Sequence, residues 1–249
     1  MLLCHLQGGL MLNTIKRWRK RPGLDSKADA VTRKVQSEQW LDDAGVTVNK
    51  TLPCLPGVHQ CTLQSAHAIW QRIYALFYLS AKAEDQDPAA LSMLQKRCLS
   101  PLQFTHNEQK LLAQDNWTLA DKESCVWRYE AINTLLWTLK LHVRLSKPNQ
   151  VCDILGISRL VLNSSAEELT ARTKIRTPAQ CLDQADLYYR YSQSMTSKTG
   201  SIYLADINEQ VVQQRFHCFM WLMGLIEWDD AFPSALQQLS KQERLQVAP

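Results

Sequence analysis

An all-α fold, a single domain of about eight helices, is what this sequence predicts. Three observations lead there. Helix start signals recur along the chain, apolar residues between them fall at spacings of three, four and seven, and the alternation typical of strands is confined to two short stretches.

The first long helix is expected over 26–44, opened by Asp25 and Ser26 and ended by Gly45, since a residue of positive φ after a helix is most easily glycine. Thr62 introduces a second near 63–82, in which Ile69, Ile73, Leu76 and Phe77 share one face. Asp87-Pro88 is a cap followed by proline at the first helical position, for a short helix near 88–99. Thr105 with Glu108 makes a capping box for 106–114. Asp121 starts a long helix over 122–142, expected to be the central one, packed against 178–196 and 207–226. Those two begin at Thr177 with Gln180 and at Asp206 with Glu209, and Ser165 with Glu168 opens a short helix at 166–172. Val46 and Val48 ahead of TLPCLPG (51–57), and the β-branched ILGISRLVLN (154–163), admit one or two short strands. LSKPNQ (145–150) reads as a loop with apolar helices on both sides, so residues 25–249 are expected to form one domain behind a basic extension over 1–24.

The 249 residues are 45% hydrophobic and 21% charged, ordinary for a globular chain with a sizeable core. The net charge of +4 is unevenly placed: Lys16, Arg17, Arg19, Lys20 and Arg21 lie within six positions, and without them 23 basic residues face 24 acidic ones. Such a body is not a nucleic-acid binder on charge grounds. IKRWRKRP (15–22) reads as a solvated tail, with an anchor to nucleic acid, anionic lipid or an acidic protein as the alternative; Trp18 would help at a membrane interface. Residues 1–24 lack an apolar face, so their deletion is expected to leave the melting temperature nearly unchanged. Met11 is a candidate natural start. No apolar run reaches the roughly 18 residues of a membrane helix. MLLCHLQGGLML carries no basic stretch before its apolar part, so no secretory signal is expected and the compartment expected is the cytoplasm. The eight cysteines form no CxxC and read as small buried hydrophobes in a reducing compartment.

One stretch holds charges where a core is expected. In CVWRYEAINTLLW (125–137), Cys125, Tyr129, Ile132, Leu136 and, beyond it, Leu139 form one helical stripe. Trp127, Glu130, Ala131 and Thr134 form another. Both stripes have buried character, yet Arg128 and Glu130 sit among them. A buried charge without a partner costs several kcal/mol, so partners are expected elsewhere in the chain. Asp186 and Arg190 stand four apart in QADLYYRYS (184–192), and Arg215 and Asp229 flank the apolar part of QRFHCFMWLMGLIEWDD (214–230). Glu130 is expected to be buried and to pair with Arg215 first and Arg190 second.

At these residues the chain resembles the bacterial domain-of-unknown-function family 4272. The resemblance runs in order through WLDDAGVTVNKTLP (40–53), LSPLQFTHNEQKLL (99–112), WRYEAINTLLWTLKL (127–141), LDQADLYYRYS (182–192) and INEQVVQQRFHCFMWLMGLIEWDD (207–230). It covers roughly residues 37–230. The family tends toward a Glu-Arg pair where this chain has Gln214-Arg215, and toward Thr or Asp after WDD where it has AFPSA (231–235). The resemblance implies a mostly helical fold and brings no established activity.

Other chemistry finds little footing. Cys54, His59, Cys61 and His67 match no standard zinc module in their spacing, so no metal and no cofactor is expected. His217 and Cys218 are adjacent, and neighbours on a helix point about 100° apart, which precludes a dyad. His106 and His142 read as residues at a helix start and a helix end; a histidine at a C-terminus gains from the helix dipole. No glycine-rich phosphate loop, GxSxG or HExxH occurs.

The candidate site is therefore the polar cluster Arg128, Glu130, Asp186, Arg190, Arg215 and Asp229. It reads either as a sealed ion network fixing helix register or as a cleft for a charged group. The leading expectation is a non-enzymatic interaction protein of the bacterial cytoplasm, of immunity or adaptor type, taking a protein partner through a helix-lined groove. The alternative is a small-molecule-binding protein or a hydrolytic enzyme using the cluster. Exposure separates the two: open, unpaired carboxylates favour chemistry, and a sealed network favours a scaffold.

Overall fold

A computed structural model describes residues 26–98, 101–141, 145–196 and 206–231, with nine helices and no strand among them. The basic stretch 15–22 and His142 lie outside the described residues. The helices are α1 Ser26–Asp43, α2 Ala66–Ala83, α3 Pro88–Arg97, α4 His106–Leu112, α5 Leu119–Thr138, α6 Ile154–Asn163, α7 Ala166–Arg172, α8 Pro178–Thr196 and α9 Glu209–Leu222, with a 3₁₀ turn at Val58–Gln60. No helix of the described residues is long and apolar enough to cross a membrane.

Most ends obey local chemistry already legible in the sequence. Asp87 caps α3 ahead of Pro88, and the boxes Thr105/Glu108 and Ser165/Glu168 open α4 and α7. Thr177 and Gln180 exchange the same pair of bonds ahead of α8. Gly45, at φ 77°, ends α1, with its N–H on the Asp42 carbonyl and that of Val46 on Leu41.

Three kinds of detail differ. The stretch 154–163 is a helix, because Asp153 caps it and Ile157 and Val161 bury one face; burial at helical spacing overrides β-branched preference. Val46 and Val48 are buried in an extended segment that pairs in no ladder. Three caps stand earlier or later than Thr62, Asp121 and Asp206: Ser65 opens α2, Thr118 opens α5 with Asp121 as the third residue of its box, and Asn208 opens α9. Thr62 and Gln64 instead give their N–H groups to the Met223 and Leu222 carbonyls, tying the entry of α2 to the exit of α9. Gly224 makes that junction possible: its φ is 68°, and a Cβ there would stand 2.9 Å from the Thr62 carbonyl oxygen.

Neighbours run α2–α5–α9–α8–α1, with α3 against α2 and α6 against α5. So α5 is central, as expected, but it packs on α2 and α9, while α8 packs mainly on α9 and α1. The main apolar core joins these helices, from Leu41 in α1 to Ile226 beyond α9, and a second, smaller cluster lies beside it. Tyr129, Ala131, Ile132 and Leu136 of α5, with Leu139 at its end, enter the main core. Cys125 is buried in the smaller cluster with Leu79 and Ala83, Thr134 is buried, and Trp127 is half-buried. Because the apolar surface wraps most of α5, charges on this helix end up between helices.

Candidate functional site

Glu130 lies in the middle of α5 and Arg215 at the second turn of α9, and packing of the two helices brings them face to face. Nε and Nη2 of Arg215 both reach Glu130 Oε2, at 2.8 and 2.7 Å. Nη1 donates to the Ser146 carbonyl and to the Tyr188 hydroxyl, both at 2.7 Å, and Nη2 also reaches Ser146 Oγ. All five guanidinium N–H groups thus have an acceptor. Glu130 Oε1 takes the backbone N–H of Cys152. Burial pushes the Tyr188 phenol up, against the pull of Arg215, so it stays protonated. The group ties α5, α8, α9 and the loop after α5 together, with both Glu130 oxygens and all five Arg215 N–H groups engaged inside it.

A second group joins α8 to α1. Arg190 holds Asp186 through Nε (3.0 Å) and Nη2 (3.1 Å), and its Nη1 reaches Glu38 in α1 at 3.2 Å. Its Nη2 also donates to the Pro53 carbonyl. Beside it, Lys34 donates to the carbonyls of Lys50 and Leu52, and Arg33 to those of Leu55 and Pro56. The proline-bearing loop 50–56 offers few N–H donors and no strand partner, so its carbonyls turn to three cations instead. Arg33, Asp186 and Arg190 are buried.

The third group is open. Arg72 in α2 and Arg128 in α5 share Glu108 of α4, at 2.6 Å to Oε2 and 2.8 Å to Oε1. Glu108 is 1% exposed and also accepts the Thr105 N–H. The Arg72 guanidinium lies over the Trp228 ring, 4.8 Å from its centroid. Burial pulls that guanidinium below its ordinary value and Glu108 pulls it back up. Trp228 also meets Trp221 and His217 edge-on, each at 5.3 Å, and the Trp228 carbonyl takes a hydrogen bond from His217 Nε2 at 3.0 Å. Since a carbonyl only accepts, Nε2 carries the proton. Asp229 Oδ2 accepts the Asn107 N–H, pinning the segment after α9 onto the start of α4. Over these residues lies a shallow groove of about 280 Å³ lined by Gln71, Arg72, Gln103, Trp221, Glu227, Trp228 and Asp229, with Ala68 and Thr105.

Residues 33–231 match the model of a family described as a domain of unknown function, DUF4272. The chain belongs to the DUF4272 family. No curated protein and no solved structure matches it. The matched span holds Glu38, Asp186 and Arg190, the Glu130–Arg215 pair, and the whole groove, so all three groups are features of the DUF4272 region.

The six residues singled out from the sequence do not form one cluster. They divide into Glu130 with Arg215, Asp186 with Arg190, and Arg128 and Asp229, which each hold a different residue of α4 (Glu108 and Asn107), and the first two groups are sealed. Sequence reasoning missed Arg72 and Glu38, and took Glu108 as a capping residue only. Arg72 carries the same signal that marked Arg128, a charge inside the apolar helix AHAIWQRIYALF (66–77). Trp228 reads from sequence as core, yet it stands half-buried at the groove. Among the described residues no three His, Cys, Asp or Glu side chains are placed to hold a metal ion, Cys54, His59, Cys61 and His67 included. Burial pushes the Cys61 thiol up to about 11, which opposes the thiolate a metal would need.

Proposed function

We propose that this DUF4272 protein is a non-enzymatic interaction protein, bacterial and cytoplasmic, of adaptor or immunity type, that holds a protein partner in the groove around Trp228. The observation that carries this is the division of its charges. The carboxylates best suited to acid–base chemistry by position, Glu130 and Asp186, are 1% and 0% exposed and ion-paired, which supports a structural role for both. The groove instead offers two indoles and two side-chain amides with exposed carboxylates at the rim, and aromatic residues are enriched at protein interfaces. The alternative, a small-molecule-binding protein or hydrolytic enzyme acting through the Arg/Asp/Glu cluster, has less support because the cluster is split and two of its parts are closed.

The test is affinity capture with the tagged chain and with a Trp228→Ala variant of unchanged fold by circular dichroism. A partner held by the parent and lost by the variant is expected. Equal capture by both would remove the groove from the interaction, and no specific capture would overturn the reading.

A further inference from the structure

Among the residues that line the groove, the exposed charges are of one sign. Glu227 and Asp229 are exposed at its rim, whereas the Arg72 guanidinium lies beneath Trp228 and is offset by a carboxylate, Glu108, that is itself buried. Asp229 spends one oxygen, Oδ2, on the Asn107 N–H. Between rim and floor stand the amides of Gln71 and Gln103 and the indoles of Trp221 and Trp228.

The floor makes a second, independent demand. Arg72 is 6% exposed, and its Nε–H has no acceptor. A buried donor without an acceptor is costly to the fold, and a lone pair brought from outside removes that cost. The groove thus offers negative charge at its rim, and beneath Trp228 lies a guanidinium with one buried N–H unmet.

We propose that the groove binds a peptide segment carrying a basic residue. The Lys or Arg head group lies between Glu227 and Asp229, its aliphatic stem lies along Trp228, and a main-chain carbonyl of the same segment turns down to Arg72. The inference rests on the interaction reading above and adds the chemistry of the partner. An acidic segment would set its carboxylates against those of the rim, and a bare cation would leave the Arg72 donor unmet. At about 280 Å³ the groove suits one side chain and the peptide units beside it. Reaching Nε displaces the Trp228 ring from the guanidinium, so occupancy changes the tryptophan emission.

A random-peptide display library selected on the full chain, with the Trp228→Ala chain as counter-selection, tests this. Enriched peptides are expected to carry Lys or Arg and to shift the tryptophan emission. They are expected to bind roughly tenfold more weakly to the double variant Glu227→Gln, Asp229→Asn. Both substitutions keep an acceptor and remove the charge, so the Asn107 cap survives. Acidic or charge-indifferent peptides, no enrichment with or without residues 1–24, or equal binding to the double variant would overturn the inference. Binding that appears only after deletion of residues 1–24 would support the same chemistry, with the chain's own basic stretch as the competing occupant. The same double variant in the affinity capture separates the two readings. Capture lost in Trp228→Ala but kept in the double variant sinks the basic partner alone, whereas capture indifferent to both sinks the groove as well.

Discussion

Arg215 meets Glu130 with two of its N–H groups on a single oxygen, Oε2, at 2.8 and 2.7 Å, and neither residue is more than 1% exposed. The other oxygen of Glu130 is taken by the backbone of Cys152. Removing the acid strands a guanidinium in the core. Glu130→Ala is expected to destabilise by roughly 3–5 kcal/mol, the cost of breaking a buried pair from one side. Glu130→Ala with Arg215→Leu should recover much of that loss, because no charge is then left buried. Urea unfolding of the two single variants and the double one reads the coupling, and a Glu130→Ala protein as stable as the parent would remove the pair from the account of the fold.

Glu108 is the hinge of the open group, and its two arginines differ in exposure. The Arg128 side chain is 18% exposed and that of Arg72 6%. Glu108→Ala strands both guanidiniums and removes one half of the α4 capping box, so a loss of roughly 3–5 kcal/mol is expected. Arg128→Ala leaves Glu108 still paired with Arg72 and is expected to cost only about 1 kcal/mol. Equal losses for the two variants, measured by denaturant unfolding, would show that Glu108 does not bridge.

The all-α class was legible because capping chemistry is local: Asp87-Pro88, Thr105/Glu108 and Ser165/Glu168 act on residues three or fewer positions away. The Glu130–Arg215 pair was legible for a different reason. A carboxylate flanked on its own helix face by Trp127, Ala131 and Thr134 must be buried, and few cations in this chain begin an equally apolar helix. The split of the cluster was not legible, because it depends on which helices pack together. With α8 mainly on α9 and α1, Arg190 finds Glu38, a residue 152 positions away that no local pattern marks. The groove was hidden likewise, since it exists only where the segment after α9 folds back onto α2 and α4. Ser65 displaced Thr62 as a cap for the same non-local reason: the Thr62 N–H is engaged by the end of α9.

The last expectation concerns pH. Burial holds the His217 imidazole below its ordinary value of 6.5; the hydrogen bond to Trp228 and the Asp230 carboxylate oppose that, and Arg128 and Arg72 add to it. The folded protein therefore takes up this proton at a lower pH than the unfolded chain does. Between the two values the unfolded chain binds more protons, so stability rises with pH. The contribution is fully present above about 6.5 and is lost as pH falls from there through the folded value. In His217→Gln the side-chain amide can still donate to the Trp228 carbonyl but cannot titrate. Melting temperatures taken from pH 8 to pH 5 should fall more steeply for the parent than for the variant, with the gap opening below about 6.5. Carboxylates that titrate in the same range are common to both proteins and cancel in the comparison. Parallel curves would mean that His217 titrates alike in both states, and would detach the imidazole from the packing that holds Trp228 at the groove.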